Sequence, residues 1–170
     1  MNVYTVGQVT EGLARMIEEI GQHAKDSGVI IGYDSRNNSS LFARRAANVL
    51  SSHGIRVFLF NDVRPTPELS FGIRYLGCTA GINITASHNP KEYNGYKLYW
   101  DDGSQPTSEL AAKISEYIDS VDVLSGAPTD DKCDERFIKT VGKEIDHAFF
   151  ESVLGEAVNP EIVKKAADGL

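Results

Sequence analysis

The segment Val29-Ile30-Ile31-Gly32-Tyr33 is a short and nearly continuous apolar run. A run of this length, without the alternation of a half-exposed strand, predicts a β-strand that is buried on both faces. Before it, apolar residues recur at helical spacing from about Thr5 to Asp26, and Gly28 ends that predicted helix. A helix followed at once by a doubly buried strand indicates an α/β protein.

The same alternation continues along the chain. The predicted elements are a helix capped by Ser39 or Ser40 and broken at Gly54, a strand at 55–60, a helix that starts at Thr66 with Pro67 in its first position, strands at 78–84 and 96–100, and helices at 107–121 and 143–157. This order predicts a three-layer α/β/α fold with a mixed, mostly parallel sheet. Because no helix separates 78–84 from 96–100, we expect 96–100 to be antiparallel.

Length, charge and hydropathy restrict the classes of function. A chain of 170 residues predicts a single domain. The net charge of -7 argues against a nucleic-acid surface, which needs clustered Lys and Arg, although one local cationic pocket can still bind a phosphate. The sequence has no apolar run of bilayer length, no visible secretory signal and only two cysteines, without metal or redox spacing. We therefore expect a cytoplasmic protein that binds neither nucleic acid nor membranes.

The loop after the strand at 78–84 concentrates reactive side chains in the sequence Thr85-Ala86-Ser87-His88-Asn89-Pro90. Loops at the carboxyl ends of strands are where α/β proteins place their sites. A serine is a weak nucleophile unless a neighbour accepts its proton and positive charge lies nearby. Three residues close to Ser87 in the sequence could supply these groups: His88, Asn89 and Lys97. These residues suit phosphoryl transfer, which depends on positioning and on cations. The alternative is a turn capped by Ser and Asn.

Other polar residues allow either a functional or a structural interpretation. Asp34-Ser35-Arg36 ends the first strand, so it belongs either near the cleft or to a structural ion pair or helix-capping loop. Arg64 allows the same two interpretations, with the structural one favoured. The remaining histidines lack metal-ligand spacing and are predicted to be structural: His23, His53 and His147. Cys78 lies in an apolar run and is predicted to be buried and inert.

The six-residue string resembles the phosphoserine loop of the α-D-phosphohexomutases, the phosphoglucomutase and phosphomannomutase family. Its surroundings, Lys91-Glu92-Tyr93 and Tyr99-Trp100-Asp101-Asp102-Gly103, look most like the phosphoglucomutase/phosphopentomutase branch. The resemblance covers only the first of four family domains. It implies that residues 1–158 are an N-terminally trimmed domain I and that 159–170 form a lead-in helix toward a second domain.

The resemblance also implies roles for individual residues. Ser87 would carry a phosphoryl group, His88 would orient it, and Lys97 would accept a proton or stabilise charge. Arg36 and Asn89 would lie near the substrate phosphate. A magnesium ion would bind an oxygen of the phosphoserine, so Ser87 would also count as a metal ligand, with the remaining ligands in the second domain.

Two hypotheses about function follow. In the first, the chain is the nucleophile-bearing domain of a longer mutase that acts on hexose or pentose monophosphates through a sugar bisphosphate. Without domains II–IV we expect it to be inactive. In the second, it is a non-catalytic binding or interaction domain that retains the fold. A serine hydrolase is the weakest alternative, because the chain lacks a Gly-x-Ser-x-Gly elbow.

Overall fold

A computed structural model of the chain describes residues 1–159, 161, 162 and 166. The helices and strands are, in chain order, α1 (Val3–Ile20), α2 (Gln22–Ser27), β1 (Val29–Tyr33), α3 (Ser39–Ser52), β2 (Val57–Phe60), α4 (Thr66–Leu76), β3 (Ala80–Ile84), β4 (Tyr96–Trp100), α5 (Ser108–Asp119), β5 (Ile138–Val141) and α6 (Lys143–Gly155). Two single 3₁₀ turns, Asp130–Lys132 and Glu135–Phe137, precede β5. The predicted lead-in helix over 159–170 falls mostly on 160, 163–165 and 167–170, which lie outside the described residues.

The described residues form one sheet with the strand order β4-β3-β1-β2-β5. β1 pairs in parallel with β2 and β3, and β2 pairs in parallel with β5. β4 runs antiparallel to β3, as its short connection predicts. The predicted α/β class, the mostly parallel sheet and its antiparallel member are therefore confirmed.

Helices cover both faces of the sheet, which explains why the central strands are apolar throughout. On one face, α1 packs against α3 and α5, while α4 and α6 pack together on the other face. The larger side chains of the first layer include Leu13, Ile17, Ile31, Phe42 and Leu50, and those of the second include Ile30, Phe60, Leu69, Ile73 and Ile145. Cys78 is buried in the second layer, where burial raises the pKa of its thiol to about 12. Among the residues described, none of the helices combines the length and the apolar character that a bilayer crossing requires.

The sequence-based prediction of one strand and several boundaries was wrong. β5 was not predicted, because this edge strand exposes Lys139 and Thr140 and buries only Val141 fully. The predicted helix from Thr5 to Asp26 is two helices, since Gly21 adopts φ 117°, a conformation that side-chain-bearing residues rarely take. The apolar spacing continues past this break, so periodicity alone did not reveal it.

The starts of two helices also differ from the prediction. Asn38, in the left-handed conformation at φ 63°, precedes α3, so neither Ser39 nor Ser40 is its cap. α4 begins at Thr66, which makes Pro67 its second residue rather than its first. Pro67 still belongs to the first turn of α4. Backbone N–H groups in the first turn of a helix have no intrahelical acceptor, so the missing N–H of the proline costs no hydrogen bond.

A buried ion pair joins α1 to the end of α3. The Glu11 carboxylate, only 4% exposed, lies 2.7 Å from His53 Nε2, and it also accepts a hydrogen bond of 2.7 Å from Arg15 Nε. Hydrogen bonding to Glu11 raises the pKa of His53 against the opposing effect of burial. Burial alone would raise the pKa of Glu11, but the bonds from His53 and Arg15 outweigh it and lower that pKa. His53 is thus structural, as its sequence context predicted.

We expect this pair to give the protein a stability maximum in mildly acidic solution. The His53 contribution is fully present below its ordinary pKa of 6.5 and is lost as the pH rises through its raised pKa. The Glu11 contribution is present above 4.5 and is lost as the pH falls through its lowered pKa. Urea unfolding of the wild type and of His53→Ala should differ by about 1–2 kcal/mol near pH 6 and by less at pH 9. A difference independent of pH would contradict this assignment.

Candidate active site

Ser87 lies in a tight turn directly after β3. It adopts φ 60°, in the left-handed region that few residues other than glycine occupy. Its N–H donates to Thr85 Oγ1 at 3.0 Å, and the Asn89 N–H closes the turn by donating to the Ala86 carbonyl at 3.2 Å. A backbone held in such a conformation costs about 1 kcal/mol or more and is common at functional sites. The turn leaves Ser87 exposed at the carboxyl edge of the sheet.

The side chain of His88 faces the Ser87 hydroxyl. Ser87 Oγ lies 3.1 Å from His88 Nδ1, within hydrogen-bond distance. When the imidazole is neutral and protonated at Nε2, Nδ1 can accept the hydroxyl proton. Both residues are exposed, so a ligand can reach the pair. The structure therefore brings together the hydroxyl and the imidazole for which the sequence predicts catalytic roles.

Lys97 lies near the start of β4, at the same edge of the sheet. Because β4 is antiparallel to β3, its first residues lie beside the end of β3, and Lys97 pairs with Asn83. Tyr96 and Leu98 pack against the α1 layer, so the alternation of a strand places the Lys97 side chain on the α4 side. Its ammonium forms no ion pair within the part of the chain that the structure describes.

Asn83 places a buried polar side chain on the α4 side of this edge. Its Nδ2 donates to Thr66 Oγ1 at 2.9 Å, while its Oδ1 is buried without a hydrogen-bond partner among the described residues. Lys97 lies on the same face of the sheet as this acceptor. Asn83 was not predicted from the sequence, in which its only signal is a polar residue inside an apolar strand.

The Asn94-Gly95 pair fixes the return of the loop to β4. Asn94 Nδ2 donates to Ser39 Oγ at 2.8 Å, and the Thr85 N–H donates to the Gly95 carbonyl at 3.0 Å. A Cβ on Gly95 would lie 2.7 Å from the Thr85 carbonyl oxygen, closer than real Cβ contacts allow. Glycine is therefore required where the chain passes close to the Thr85 carbonyl on its way to Lys97. We call the loop of residues 85–95, between β3 and β4, the reactive loop.

Arg36 binds the main-chain carbonyls of the reactive loop. Its side chain is only 9% exposed, and Nε donates to Asp34 Oδ2 at 2.8 Å. The other two guanidinium nitrogens donate to four loop carbonyls: Nη2 to Ser87, and Nη1 to Asn89 (2.5 Å), Pro90 (2.7 Å) and Tyr93 (3.3 Å). The guanidinium is thus used within the protein, and Arg36 acts on the site by positioning the loop. Asn89 contributes its carbonyl to this contact, and its exposed amide stays predicted to lie near a phosphate.

Asp34 balances the charge of Arg36 and ties the end of β1 to the loop. It accepts hydrogen bonds from the Arg36 main-chain N–H at 3.1 Å and from Ser39 Oγ at 2.9 Å. Burial would raise the pKa of Asp34, but hydrogen bonds from Thr85, Arg36 and Ser39 outweigh it and lower that pKa. Asp34 is therefore ionised at neutral pH, and its carboxylate is occupied by these partners.

Arg64 belongs to a separate polar group between α4 and α6. Its Nε and Nη2 donate to the two Asp146 oxygens at 2.7 and 2.9 Å, and its guanidinium carbon lies 5.6 Å from the Phe60 ring centre. Glu68, which is 2% exposed and 3.4 Å from Arg64 Nε, has its pKa raised to about 7, first by burial and then by Asp146. These contacts fit the structural interpretation of Arg64.

The described residues do not form a metal site by themselves. No group of three or more His, Cys, Asp or Glu side chains among them is placed to hold a metal ion. Magnesium needs an octahedral set of oxygen ligands, and the Asp34 carboxylate at this edge already accepts hydrogen bonds from Arg36 and Ser39. A phosphate on Ser87 could offer one ligand, so the predicted magnesium ion would need ligands from other residues.

We predict that Arg36→Lys loosens the reactive loop. A single ammonium cannot reproduce the planar fork that meets four carbonyls and one carboxylate. Amide hydrogen exchange of residues 85–95 should accelerate at least about tenfold, with a loss of about 1–2 kcal/mol in the free energy of unfolding. Arg44→Lys is the matched control, because Arg44 is 42% exposed and pairs with the exposed Glu135. Equal exchange in both variants would contradict the positioning role.

Comparison with known proteins identifies the family. Residues 1–124 match the family model described as phosphoglucomutase/phosphomannomutase, alpha/beta/alpha domain I. A phosphoglucomutase from Staphylococcus epidermidis is 39% identical over 155 residues, which is 90% of this chain and 28% of that protein. A human phosphopentomutase is 44% identical over 125 residues, covering 70% of this chain and 20% of that protein. The chain thus spans about a quarter of the length of these curated relatives.

A solved structure gives the same result for the fold. A crystal structure described as that of a phosphomannomutase from Thermus thermophilus superposes with a TM-score of 0.65 at 32% identity, covering 75% of this chain and 28% of that one. The chain belongs to the phosphoglucomutase/phosphomannomutase family and contains that family's α/β/α domain I.

Proposed function

We propose that this chain is the nucleophile-bearing domain of a phosphohexomutase and that Ser87 carries the phosphoryl group. The observation that supports this most directly is the exposed Ser87 hydroxyl, 3.1 Å from His88 Nδ1 in a turn that Arg36 braces. The substrates would be a hexose 1- or 6-phosphate, glucose or mannose, or a pentose 1- or 5-phosphate. The relatives named phosphoglucomutase and phosphopentomutase support this class of substrate.

The proposed reaction is two phosphoryl transfers through a sugar bisphosphate. In the first, a sugar hydroxyl oxygen bonds to the phosphorus of phospho-Ser87 and its proton passes to a base. The bond from phosphorus to Ser87 Oγ breaks, and the leaving Oγ takes up a proton, for which His88 is the neighbouring donor. The bisphosphate then reorients within the site, so that its other phosphate faces Ser87. The second transfer restores phospho-Ser87 and releases the isomeric monophosphate.

His88 and Lys97 supply what such transfers need from the protein. Catalysis of phosphoryl transfer rests mainly on positioning and on charge stabilisation around the transferring oxygens. His88 adjoins Ser87 Oγ and can exchange a proton with it or hydrogen-bond its phosphate. Lys97 lies at the same edge of the sheet, where its amino group could accept the sugar proton or stabilise the charge of the phosphate.

Magnesium and the other substrate contacts would come from outside the described residues. When bound, a magnesium ion would neutralise charge on the phosphoryl oxygens, with a phospho-Ser87 oxygen as one ligand. The described residues offer no carboxylate cluster to complete that site. The mutase proposal therefore includes further domains, called II–IV in the family, and makes this chain one contributor to a shared cleft.

We predict that Ser87→Ala in a protein that contains all the domains lowers kcat at least about a thousandfold, since it removes the hydroxyl proposed to carry the phosphoryl group. The measurement is sugar-phosphate isomerisation in the presence of magnesium and a bisphosphate primer. Ser40→Ala, at an exposed position of α3, is the matched control and should keep the wild-type rate. A Ser87→Ala enzyme with near-normal turnover would eliminate the proposal.

We further predict that the purified 170-residue chain has no mutase turnover, because the described residues contain no metal cluster and the remaining substrate contacts are proposed to come from other domains. The same assay, with wild-type chain at high concentration, tests this. Magnesium-dependent isomerisation by this chain alone would show that the site is complete without other domains. Absence of phosphate on Ser87 in the full-length protein, together with absence of turnover there, would favour the non-catalytic alternative.

A further inference from the structure

Ser87 has three polar groups, and contacts within the protein hold two of them. Its main-chain N–H donates to Thr85 Oγ1 at 3.0 Å, and its carbonyl accepts a hydrogen bond from Arg36 Nη2. The third group is the hydroxyl, which lies 3.1 Å from His88 Nδ1. Because both main-chain groups are bound, the residue is held in place while its side chain stays open to a ligand.

Thr85 supplies the partner of the Ser87 N–H from a buried position. Only 6% of Thr85 is exposed, whereas Ser87, two residues on, is exposed. A hydroxyl has one proton to donate besides the lone pairs with which it accepts. Since the Thr85 oxygen accepts from Ser87, its own proton remains to be donated, and a buried hydroxyl needs an acceptor for it.

The register of β1 and β3 places that acceptor. Tyr33 pairs with Ile84 at the end of the two parallel strands, and the Asp34 N–H donates to the Ile84 carbonyl at 3.2 Å. The next residues of the two strand ends, Asp34 and Thr85, therefore lie side by side. Burial works to raise the pKa of Asp34, and a bond from the Thr85 hydroxyl is the first of those that lower it. The Asp34 carboxylate is thus the acceptor of the Thr85 proton.

The same carboxylate holds the contact to the Ser87 carbonyl. Asp34 Oδ2 accepts from Arg36 Nε at 2.8 Å, and Arg36 Nη2 donates to the Ser87 carbonyl. The two main-chain groups of Ser87 are therefore each linked to Asp34 through one side chain, Thr85 for the N–H and Arg36 for the carbonyl. Ser39, which is 1% exposed, fixes the carboxylate in turn by donating to Oδ1 at 2.9 Å.

We propose that Thr85 is a positioning residue of the phosphoryl-transfer site, whose hydroxyl bridges the Ser87 N–H and the Asp34 carboxylate and so holds Ser87 in its left-handed conformation with Oγ toward His88. This role rests on the proposed function of Ser87. A turn in which a threonine oxygen accepts the N–H two residues on is common. The carboxylate behind the hydroxyl distinguishes this turn, because it orients the hydroxyl that holds the nucleophile.

Thr85→Val tests the hydroxyl, because valine has nearly the same shape as threonine and lacks that group. The Ser87 N–H would lose its acceptor, and Asp34 would lose one of its donors. A left-handed φ is unfavourable for a residue with a side chain, so without this bond Ser87 would leave that conformation for part of the time. We expect its hydroxyl to lose the fixed orientation toward His88.

The first measurement is NMR of the 170-residue chain, which needs no turnover. In Thr85→Val, amide exchange of Ser87 should accelerate at least about tenfold, and the coupling between its amide and Hα protons, which reports φ, should change. Thr85→Ser keeps the hydroxyl and should resemble the wild type. Thr79→Val is the matched control, because its hydroxyl donates to the Ala24 carbonyl at the opposite edge of the sheet, so its loss should leave Ser87 unchanged.

The second measurement is turnover in a protein that contains all the domains. Thr85→Val should lower kcat at least about tenfold and leave KM for the sugar phosphate within about twofold, since the hydroxyl acts on the nucleophile and not on substrate binding. Thr85→Ser should restore kcat to within about threefold of the wild type. A merely structural loss, as in Thr79→Val, lowers stability and leaves the kcat of the folded enzyme unchanged.

Asp34→Asn tests the other end of the bridge and decides the question if Thr85→Val does not fold. It weakens the acceptor of the Thr85 hydroxyl, so Ser87 amide exchange should again accelerate. Where both variants fold, their effects on exchange should be less than additive, because each breaks the same bridge. Full additivity would show that Thr85 acts independently of Asp34 and would overturn the proposal.

The proposal is also overturned if Thr85→Val leaves Ser87 exchange and kcat at wild-type values, if Thr85→Ser fails to restore kcat, or if Asp34→Asn leaves Ser87 exchange unchanged. These outcomes differ from a failure of the mutase proposal. An inactive Ser87→Ala enzyme beside a fully active Thr85→Val enzyme would refute the positioning role alone. Near-normal turnover of Ser87→Ala would refute the mutase proposal, and with it the role of Thr85 in phosphoryl transfer.

Discussion

One guanidinium, that of Arg36, ties the end of β1 to the loop that follows β3. The guanidinium, which follows β1 in the chain, donates hydrogen bonds to four carbonyls of that loop, those of Ser87, Asn89, Pro90 and Tyr93. The paired carboxylate of Asp34 cancels its charge and is itself held by Ser39. The loop is thereby held in a conformation in which Ser87 takes a left-handed φ and its hydroxyl meets His88. Such preorganisation is what phosphoryl transfer asks of a protein, since it reduces the cost of positioning during the reaction.

The apolar runs were sufficient to predict the centre of the fold. β1 is buried on both faces because Ile30 and Ile31 enter opposite layers, and this pattern is visible in the sequence. β5 was missed because an edge strand with one solvent-facing side needs few apolar residues, and here only Val141 is fully buried. The break at Gly21 was missed because a single backbone conformation, and not a change in periodicity, ends α1.

The site was predictable where contacts are local and not where they are distant. Ser87 and His88 are adjacent, so a tight turn was enough to bring them together. The role of Arg36 depends on acceptors more than fifty positions away, and the sequence could place it only near the same edge of the sheet. Lys97 reaches that edge because β4 is antiparallel to β3. The sequence predicted this orientation, because no helix was predicted between the two strands. The magnesium expectation rested on family resemblance, and the described residues supply no ligand cluster for it.

The central claim is that Ser87 is a phosphoryl carrier. The most direct measurement is mass spectrometry of the native gene product, isolated from cells with phosphatases inhibited, with the peptide spanning Ser87 read for phosphate. We expect a phosphoryl group on Ser87 in a protein longer than 170 residues. An unmodified Ser87 in every molecule, in a protein that still isomerises sugar phosphates, would contradict it.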